Sequence, residues 1–306
     1  MVDWDLGRLR VLHELAERRT LGAVAAALGY TPSAISQQLA TLEREVGQPL
    51  TEKAGRGVRL TEAGRILAER AGVLLAGAEA AAAELASLSG EVRGTVRAGG
   101  LQSATRHLLI PVLEQLQREQ DGLRLELTDL ELEQALPELR LGSLDLVISD
   151  EYDGHPRPRP AALRYEVIHD EPLRLVLPAD HPRAAGGGPV PLELLREDVW
   201  VAAAAGTGHH ASVVATCRAV GGFDPDLRHR SNDADVQVEL VRSAGAVALM
   251  PVLALPAADP ALAVRDVAGA AVRRRLVLLT RDAPPGPALA AVLAALAERA
   301  RRLARA

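Results

Sequence analysis

The chain has 306 residues, of which 48% are apolar and 25% are charged, and its formal net charge at pH 7 is −5. This composition is typical of a globular protein of about two or three domains and argues against long-range disorder. The single cysteine, Cys217, excludes an intrachain disulfide framework and a cysteine-rich metal site. The negative net charge, taken alone, argues against a nucleic acid partner.

The first residues are acidic where a signal peptide would be basic, because Asp3 and Asp5 flank Trp4. The longest apolar stretch, residues 244–256, contains Pro251 and is too short to span a bilayer. We therefore expect a cytoplasmic protein without a membrane partner.

The sequence pattern changes near residue 90. The segment before it is helical almost throughout, whereas short β-like runs alternate with helical runs after it. This alternation predicts βαβ units and a mainly parallel sheet. The candidate strands include the runs 96–98, 123–127 and 144–149, and two further separate strands at 164–168 and 173–177.

Residues 20–46 carry the signals of two helices joined by a tight turn. Thr20 can cap the first helix, and Gly29 can end it in a left-handed turn. Thr31 can cap the second helix, with Pro32 at its first position. Apolar residues at positions 35, 39, 42 and 46 then recur at helical spacing. This pattern predicts a DNA-reading helix-turn-helix, and an αα-hairpin without a DNA role is the alternative.

The start and outward face of the second helix supply our candidates for contact with bases, because glutamine can pair with adenine and hydroxyls can bond base edges or phosphates. They are Thr31, Pro32, Ser33, Ser36, Gln37 and Thr41. This helix has few basic residues, so phosphate contacts must come mainly from elsewhere. The glycine-bearing stretch 53–59 predicts a basic wing with Lys53, Arg56 and Arg59 as contact residues, and a solvated basic loop is the alternative.

A long helix follows Thr61, which can cap it, and it carries an apolar repeat with a period of 3.5 residues. This repeat predicts a seam through which two copies of the chain pair, with packing on the chain's own domains as the alternative. The seam residues are Leu67, Ala71, Leu74, Ala78, Ala81, Leu85 and Leu88.

This order of elements resembles the LysR-type transcriptional regulators. The similarity lies in the segments 9–12, 23–39, 42–50 and 55–64, and beyond them in 96–99, 141–148 and 172–182. The resemblance implies an α/β chain with an N-terminal winged helix-turn-helix DNA-binding domain (1–61), a linker and dimerisation helix (62–89) and an effector-binding domain (90–306). That last domain would resemble periplasmic binding proteins, with one lobe at about 90–170 and 275–306 and a second at about 171–274.

The implied function is sequence-specific regulation of transcription, with operator binding altered by a small-molecule effector. The implied partners are double-stranded DNA, the effector, and further copies of the chain in a homodimer or homotetramer; no cofactor is implied. Two positions in the wing depart from the family pattern, since Thr51 and Lys53 stand where phenylalanine and arginine are usual. We expect the loss of the aromatic residue to loosen the wing. Gln37 stands where arginine is frequent, which suggests different operator preferences.

Two polar segments, 101–105 and 205–209, each follow a predicted strand, and ligands of open α/β sheets bind beyond the carboxyl ends of strands. The resemblance places both segments at an effector cleft, together with residues 232–233 and 250. The candidate effector-binding residues are Gln102, Ser103, Thr207, His209, Asn232 and Met250. We expect an anionic or hydroxylated ligand, and the alternative is that these residues are ordinary helix caps.

No catalytic or metal-binding residue is predicted. His209 and His210 are adjacent and diverge on a regular element, and Cys217 lies in a helical run where a small residue is usually buried. A solute-binding receptor would need export and would leave residues 1–89 without a role. The charge divides unevenly, because residues 1–65 hold nine basic and eight acidic side chains and the remainder carries −6. The net charge therefore does not exclude a DNA-binding module.

Overall fold

The computed structural model describes residues 4–55, 57–87, 92–155, 157, 159 and 162–305, together making an N-terminal helical domain and a larger α/β domain. Arg56 of the predicted wing and Leu88 of the predicted seam lie outside the described residues.

The N-terminal domain is built from three helices and a short hairpin. They are α1 (Leu6–Arg18), α2 (Leu21–Leu28), α3 (Pro32–Val46), β1 (Thr51–Ala54) and β2 (Gly57–Leu60). Thr20 and Thr31 cap α2 and α3 as predicted, since each hydroxyl oxygen accepts a hydrogen bond of 3.2 Å from the backbone N–H three residues later. Gly29 adopts a positive φ of 69° between the helices. Val24 of α2 and Ile35 of α3 are fully buried in a common core, which fixes how the two helices cross.

The first strand of the wing is hydrogen-bonded to α3 where it begins. One carboxylate oxygen of Glu43 in α3 accepts hydrogen bonds from the backbone N–H groups of Leu50 and Thr51, both at 2.8 Å. The hydroxyl of Thr51 donates to the same oxygen at 3.0 Å. The hydroxyl and backbone of Thr51 thus tie the first strand of the wing to α3, and the effect of the missing aromatic residue on the wing stays a prediction.

The long helix α4 (Glu62–Ser87) begins at Thr61, whose hydroxyl accepts a hydrogen bond of 3.0 Å from the N–H of Gly64. The residues of the predicted seam do not share one environment. Leu67 and Ala71 are buried against the helices of the N-terminal domain, whereas Leu74 is 47% exposed and Leu85 is 70% exposed. The first part of the repeat thus packs on the chain's own domain, and only its later part is open to a partner.

The α/β domain has one nine-stranded mixed sheet, in which the strand order is β4-β3-β5-β11-β6-β9-β7-β8 and β10 pairs with β6. Its strands are β3 (Gly94–Gly100), β4 (Leu123–Asp129), β5 (Leu146–Tyr152), β6 (Leu163–Pro178), β7 (Val199–Ala202), β8 (Asp226–Arg230), β9 (Val247–Pro251), β10 (Leu262–Arg265) and β11 (Arg273–Arg281). Its helices are α5 (Gln102–Ala104), α6 (Ile110–Glu119), α7 (Leu132–Leu141), α8 (Gly208–Thr216), α9 (Ala234–Ala244) and α10 (Pro287–Leu303).

The expectations of two separate strands and of a mainly parallel sheet are both wrong. β6 is a single strand of 16 residues that covers both predicted runs. It pairs antiparallel with β11 over its first ten residues, and β9 and β10 then pair antiparallel with its second half. The parallel pairs are confined to β3 with β4 and β5, and to β7 with β8 and β9.

The sheet supports two lobes, each with its own hydrophobic core. The first lobe contains β3–β5 with α6, α7 and α10, and its core includes the fully buried Leu108 and Leu146. The second contains β7–β10 with α8 and α9, and its core is built around Trp200. β6 pairs with β11 in the first lobe and with β9 and β10 in the second, so its course sets the position of any cleft between the lobes.

We expect Gly64→Ala to destabilise the N-terminal domain by about 1–3 kcal/mol, because overpacking typically costs that much. A Cβ at this position would overlap the carbonyl oxygen of Leu50, where the backbone enters the wing. Gly22→Ala is the control, since it lies in α2 with nothing within 4 Å of the added carbon. This control should gain up to about 1 kcal/mol from helix propensity. Urea denaturation of both variants measures the difference, and an equal effect at the two positions would contradict the predicted overlap.

Candidate DNA-contact surface and effector cleft

The predicted base-contacting residues form the exposed start and outer side of α3. Ser36 and Gln37 are exposed, and within the described part of the chain their side chains have no hydrogen-bonding partner. Thr41 is half-buried, and its hydroxyl donates to the carbonyl oxygen of Gln37 at 3.0 Å. Thr31 caps the helix, and its hydroxyl lies 3.0 Å from that of Ser33. Exposed Pro32 begins the helix between them. Gln37 and Ser36 are thus the side chains most free to bond base edges.

The wing places Lys53 and Arg59 on its two strands, where both are exposed. Arg59 lies opposite Glu52 in the hairpin register and donates to its carboxylate at 2.8 Å. This pair is exposed, and exposed ion pairs contribute little free energy. A phosphate can therefore replace Glu52 as the partner of Arg59 at small cost. Arg56, the third predicted wing cation, is outside the described residues.

The N-terminal domain contacts the first lobe through Arg18, at the end of α1. Its guanidinium donates to Glu14 at 2.5 Å within the same helix and to Glu138 of α7 at 2.9 Å. Burial opposes the charge of Arg18, but its hydrogen bonds to the carboxylates of Glu14 and Glu138 outweigh this effect, and the pKa of Arg18 is raised. Glu14 is only 3% exposed, so Arg18 neutralises a buried carboxylate while it reaches across to the α/β domain.

All six predicted effector-binding residues line one cleft between the two lobes. The cavity volume of this cleft is about 70 Å³, which is small beside the range of about 300–1,000 Å³ for drug-sized ligands and suits a small molecule. The residues come from four separate parts of the chain: Gln102 and Ser103 in α5, Thr207 and His209 at the start of α8, Asn232 before α9, and Met250 in β9.

Most polar groups among these six residues are occupied by the protein itself. The side-chain oxygen of Gln102 accepts a hydrogen bond of 2.9 Å from the N–H of Ala234, which links the first lobe to the second. The side-chain oxygen of Asn232 accepts from the N–H of Ala204 at 2.8 Å, and Thr207 donates to the carbonyl oxygen of Ala204 at 2.8 Å. These side chains therefore shape the loops of the cleft.

His209 is fixed as a neutral ring. Its Nδ1 accepts a hydrogen bond of 3.1 Å from the N–H of Ala203, so its proton is on Nε2, which donates to the carbonyl oxygen of Leu249 at 2.8 Å. Burial lowers the pKa of His209 from its ordinary value, which also favours the neutral form. Both ring nitrogens are used in these bonds, so the ring can offer a ligand only its face.

Six further polar residues of the cleft are not predicted from the sequence: Glu131, Asp150, Tyr152, Arg157, Gln237 and Arg274. A signal was available for three of them, because Glu131 follows β4 and Asp150 and Tyr152 end β5, where a parallel strand delivers its carboxyl end to the cleft. No local pattern distinguishes Arg274 among the three consecutive arginines at 273–275.

Arg274 is the buried centre of the cleft wall. It is 3% exposed, and its Nε donates to Glu171 at 2.9 Å while its Nη2 donates to the hydroxyl of Ser103 at 3.0 Å. The second carboxylate oxygen of Glu171 accepts from the N–H of Leu253 at 2.7 Å. The charge of Arg274 is thus fully matched by a buried carboxylate that is itself well bonded.

Arg157, the second cation of the cleft, is matched as well. It donates to Glu133 at 2.7 Å and to Asp150 at 3.2 Å. The hydroxyl of Tyr152 donates to the other oxygen of Asp150 at 2.9 Å. Burial, together with the charge of Asp150, raises the pKa of Tyr152 well above its ordinary value. These groups form a closed network with no cation left over among the described cleft residues.

Glu131 is different, because it lines the cleft and its carboxylate has no hydrogen bond or ion pair in the described part of the chain. Burial raises its pKa to about 7, with smaller contributions from the charges of Asp150 and Glu133, and Arg157 acts in the opposite direction. It is therefore a carboxylate that lacks the partner its neighbours have.

Cys217 is fully buried, and burial raises the pKa of its thiol to about 12. Within the described ranges there is no group of three or more His, Cys, Asp or Glu side chains placed to hold a metal ion. None of the described helices combines the length and apolarity that crossing a membrane requires.

Family models match both domains that the fold contains. The model described as "Bacterial regulatory helix-turn-helix protein, lysR family" matches residues 6–65, and the "LysR substrate binding domain" matches residues 89–301. The chain is therefore a two-domain regulator with a DNA-binding unit and a ligand-binding unit. It belongs to the LysR family of transcriptional regulators.

Individual relatives agree with this assignment. The regulator ShiR of Corynebacterium glutamicum is 32% identical over 239 residues, which are 77% of this chain and 78% of that protein. A "probable hydrogen peroxide-inducible genes activator" of Mycobacterium avium is 29% identical over 90% of this chain and 87% of its own length. A full-length OxyR variant from Pseudomonas aeruginosa has the same fold, with a TM-score of 0.69 at 22% identity over 98% of each chain.

We expect Arg274→Met to destabilise the α/β domain by about 3–5 kcal/mol, because it leaves the buried Glu171 without its counter-charge. Arg273→Met is the matched control. Arg273 pairs with Asp170 at 2.9 Å, but both side chains are more than 40% exposed, so its loss should cost less than about 1 kcal/mol. Chemical denaturation of the full chain separates the two cases, and similar losses would show that the Arg274 pair is not buried in solution.

Proposed function

We propose that α3 and the wing of this LysR-family regulator divide the work of operator recognition. Thr31, Pro32, Ser33, Ser36, Gln37 and Thr41 would contact bases and nearby phosphates, and Lys53, Arg56 and Arg59 would contact the phosphate backbone. The observation that carries this proposal is the row of exposed side chains on α3, in which Gln37 and Ser36 have no partner within the described residues. Glutamine and hydroxyl side chains suit base edges, whereas lysine and arginine suit phosphates.

We propose the domain division stated from the sequence, with the DNA-binding unit at 1–61, the linker helix at 62–89 and the effector-binding unit at 90–306. The linker helix would pair two copies of the chain. An apolar stripe supports this pairing, because Ile66, Val73, Leu74 and Leu85 of α4 are each at least 47% exposed. A dimer would place two copies of α3 on a two-fold operator, and a tetramer would add a second pair. The site of action would be the cytoplasm, where the operator is.

The effector signal is proposed to be non-covalent binding in the cleft between the lobes, rather than chemistry at a thiol. Two mycobacterial relatives are named as probable hydrogen peroxide-inducible genes activators. In this chain the one cysteine, Cys217, is fully buried with a pKa raised to about 12. A thiol of that kind is almost never ionised near neutral pH and reacts slowly with oxidants. His209 is neutral and both of its ring nitrogens are held in hydrogen bonds, which likewise favours a binding cleft over a catalytic one.

Gln37→Ala should reduce discrimination between operator and random DNA by about 1–3 kcal/mol, because it removes a base contact. Lys53→Ala should weaken binding to both DNAs alike and reduce the salt dependence of log K by about 0.9. Mobility-shift titrations at several salt concentrations, on the region upstream of the chain's own or a neighbouring gene, measure both effects. Equal losses on the two DNAs for Gln37→Ala would contradict this division. If no mobility shift survives the addition of competitor DNA, the proposed operator recognition is overturned.

Cys217→Ala should leave operator affinity within about twofold of the unmodified chain, since a buried small residue is replaced by another. Peroxide treatment of the unmodified chain should change neither the affinity nor the mass of the Cys217 peptide. Mass spectrometry after thiol labelling measures the oxidation directly. Rapid formation of a sulfenic acid at Cys217, with a change in operator binding that Cys217→Ala abolishes, would show instead that the thiol is the sensor.

A further inference from the structure

The balance of hydrogen-bonding groups in the effector cleft points to the chemical class of its ligand, an inference that rests on the proposed function. The two cations that line the cleft are already satisfied, because Arg274 is held by Glu171 and Arg157 by Asp150 and Glu133. A ligand anion would therefore find no uncompensated positive charge on either of them. It would also approach Glu131, which lines the same cleft with no counter-charge of its own among the described residues.

Gln237 supplies a second, independent acceptor on the opposite lobe. It is 5% exposed and lines the cleft from α9. Its Nε2 donates to the carbonyl oxygen of Ser231 at 2.6 Å, and because only a nitrogen can donate to a carbonyl, the orientation of the amide is determined. Its Oε1 is therefore an acceptor by necessity, and it is buried without a hydrogen bond in the described part of the chain. A buried acceptor without a donor is unfavourable, so a ligand that brings a donor is stabilised there.

We propose that the cleft binds a small molecule with a protonated amine, whose ammonium group pairs with Glu131 and which presents a further N–H or O–H donor to Gln237. The two unsatisfied groups are both acceptors, one on each lobe, so such a ligand contacts both lobes at once. This proposal replaces the anionic ligand expected from the sequence and retains the hydroxylated one, because a hydroxyl can also donate to Gln237.

The pairing requires ionised Glu131, so it depends on pH. The charged groups around Glu131 are Asp129 of β4, Glu133 of α7, Asp150 of β5 and Arg157 of the following loop, and three of these four are carboxylates. Because burial raises the pKa of Glu131 to about 7, the ionised fraction increases about tenfold between pH 6 and pH 8. Amine affinity should increase by about the same factor over this range, while an alkyl ammonium group stays protonated throughout.

The experiment uses the full chain and pairs of probes that differ in one group. 4-Aminobutanol, ethanolamine and alanine are each compared with the compound in which a hydroxyl replaces the amine: butanediol, ethylene glycol and lactate. Melting temperatures at pH 8 identify the probes that bind, since a ligand that binds only the folded state raises the melting temperature. Calorimetry then gives the dissociation constants of those probes at pH 6 and pH 8.

The expected result is that at least one amine raises the melting temperature and that its hydroxyl counterpart does so less or not at all. Glu131→Gln should weaken that amine by about tenfold or more and remove the pH dependence. Gln237→Leu should weaken it by about threefold to tenfold. Glu126→Gln is the matched control on β4, where Glu126 pairs with Arg97 and Arg124 on the surface, and it should leave the affinity within about twofold.

Two results would overturn the proposal. The first is that no amine binds better than its hydroxyl counterpart, and the second is that an amine binds equally well to Glu131→Gln. Operator binding by the unliganded chain is measured in parallel and does not depend on the ligand. If the chain binds its operator while acids or neutral compounds occupy the cleft, the amine proposal fails and the regulator proposal stands. If specific operator binding is absent, the regulator proposal fails on its own measurement.

Discussion

The antiparallel pairing of β6 with β11 is the constraint on which the α/β domain depends. β6 runs from the first lobe into the second, and at the end of its pairing with β11 the register sets Arg274 opposite Glu171. This ion pair is buried, so both charges need each other in place. The walls of the cleft on the two lobes are thus connected through the hydrogen-bonded backbone of β6.

The same arrangement connects the cleft to the DNA-binding domain through one helix. Glu131 immediately precedes α7, and Glu138 near the other end of α7 accepts the hydrogen bond from Arg18 of α1. This helix of ten residues is about 15 Å long and has Pro137 in its interior. Glu131 and the contact with Arg18 therefore lie near the two ends of one short helix. Gln102, which links the first lobe to Ala234 in the second, lies in the same cleft, so one ligand can act on the lobes and on α7 together.

The parts of the structure that the sequence predicts well are those encoded by neighbouring residues. Thr20, Gly29 and Thr31 act within one turn of their own helix, so their roles can be predicted from local spacing. Periodicity alone does not say which partner an apolar residue meets, since the first part of the repeat packs on the N-terminal domain and only the later part is open to a partner. The cleft depends on contacts such as that between Arg274 and Ser103, which are 171 positions apart. The six predicted cleft residues share that cleft, but the free acceptors, Glu131 and Gln237, emerge only when every bond around them is placed.

The wing holds the only lysine of the chain, because the other 34 basic side chains are arginines. Guanidinium groups stay protonated in proteins, whereas the amine of lysine loses its proton and becomes a nucleophile. An amine-directed acylating reagent therefore has a single side chain to react with, and that side chain is exposed on the hairpin beside α3. One covalent modification would remove a positive charge from the wing and leave the cleft chemically untouched. A fluorophore attached to the side chain of Lys53 would therefore report the approach of DNA, and no engineered cysteine is needed.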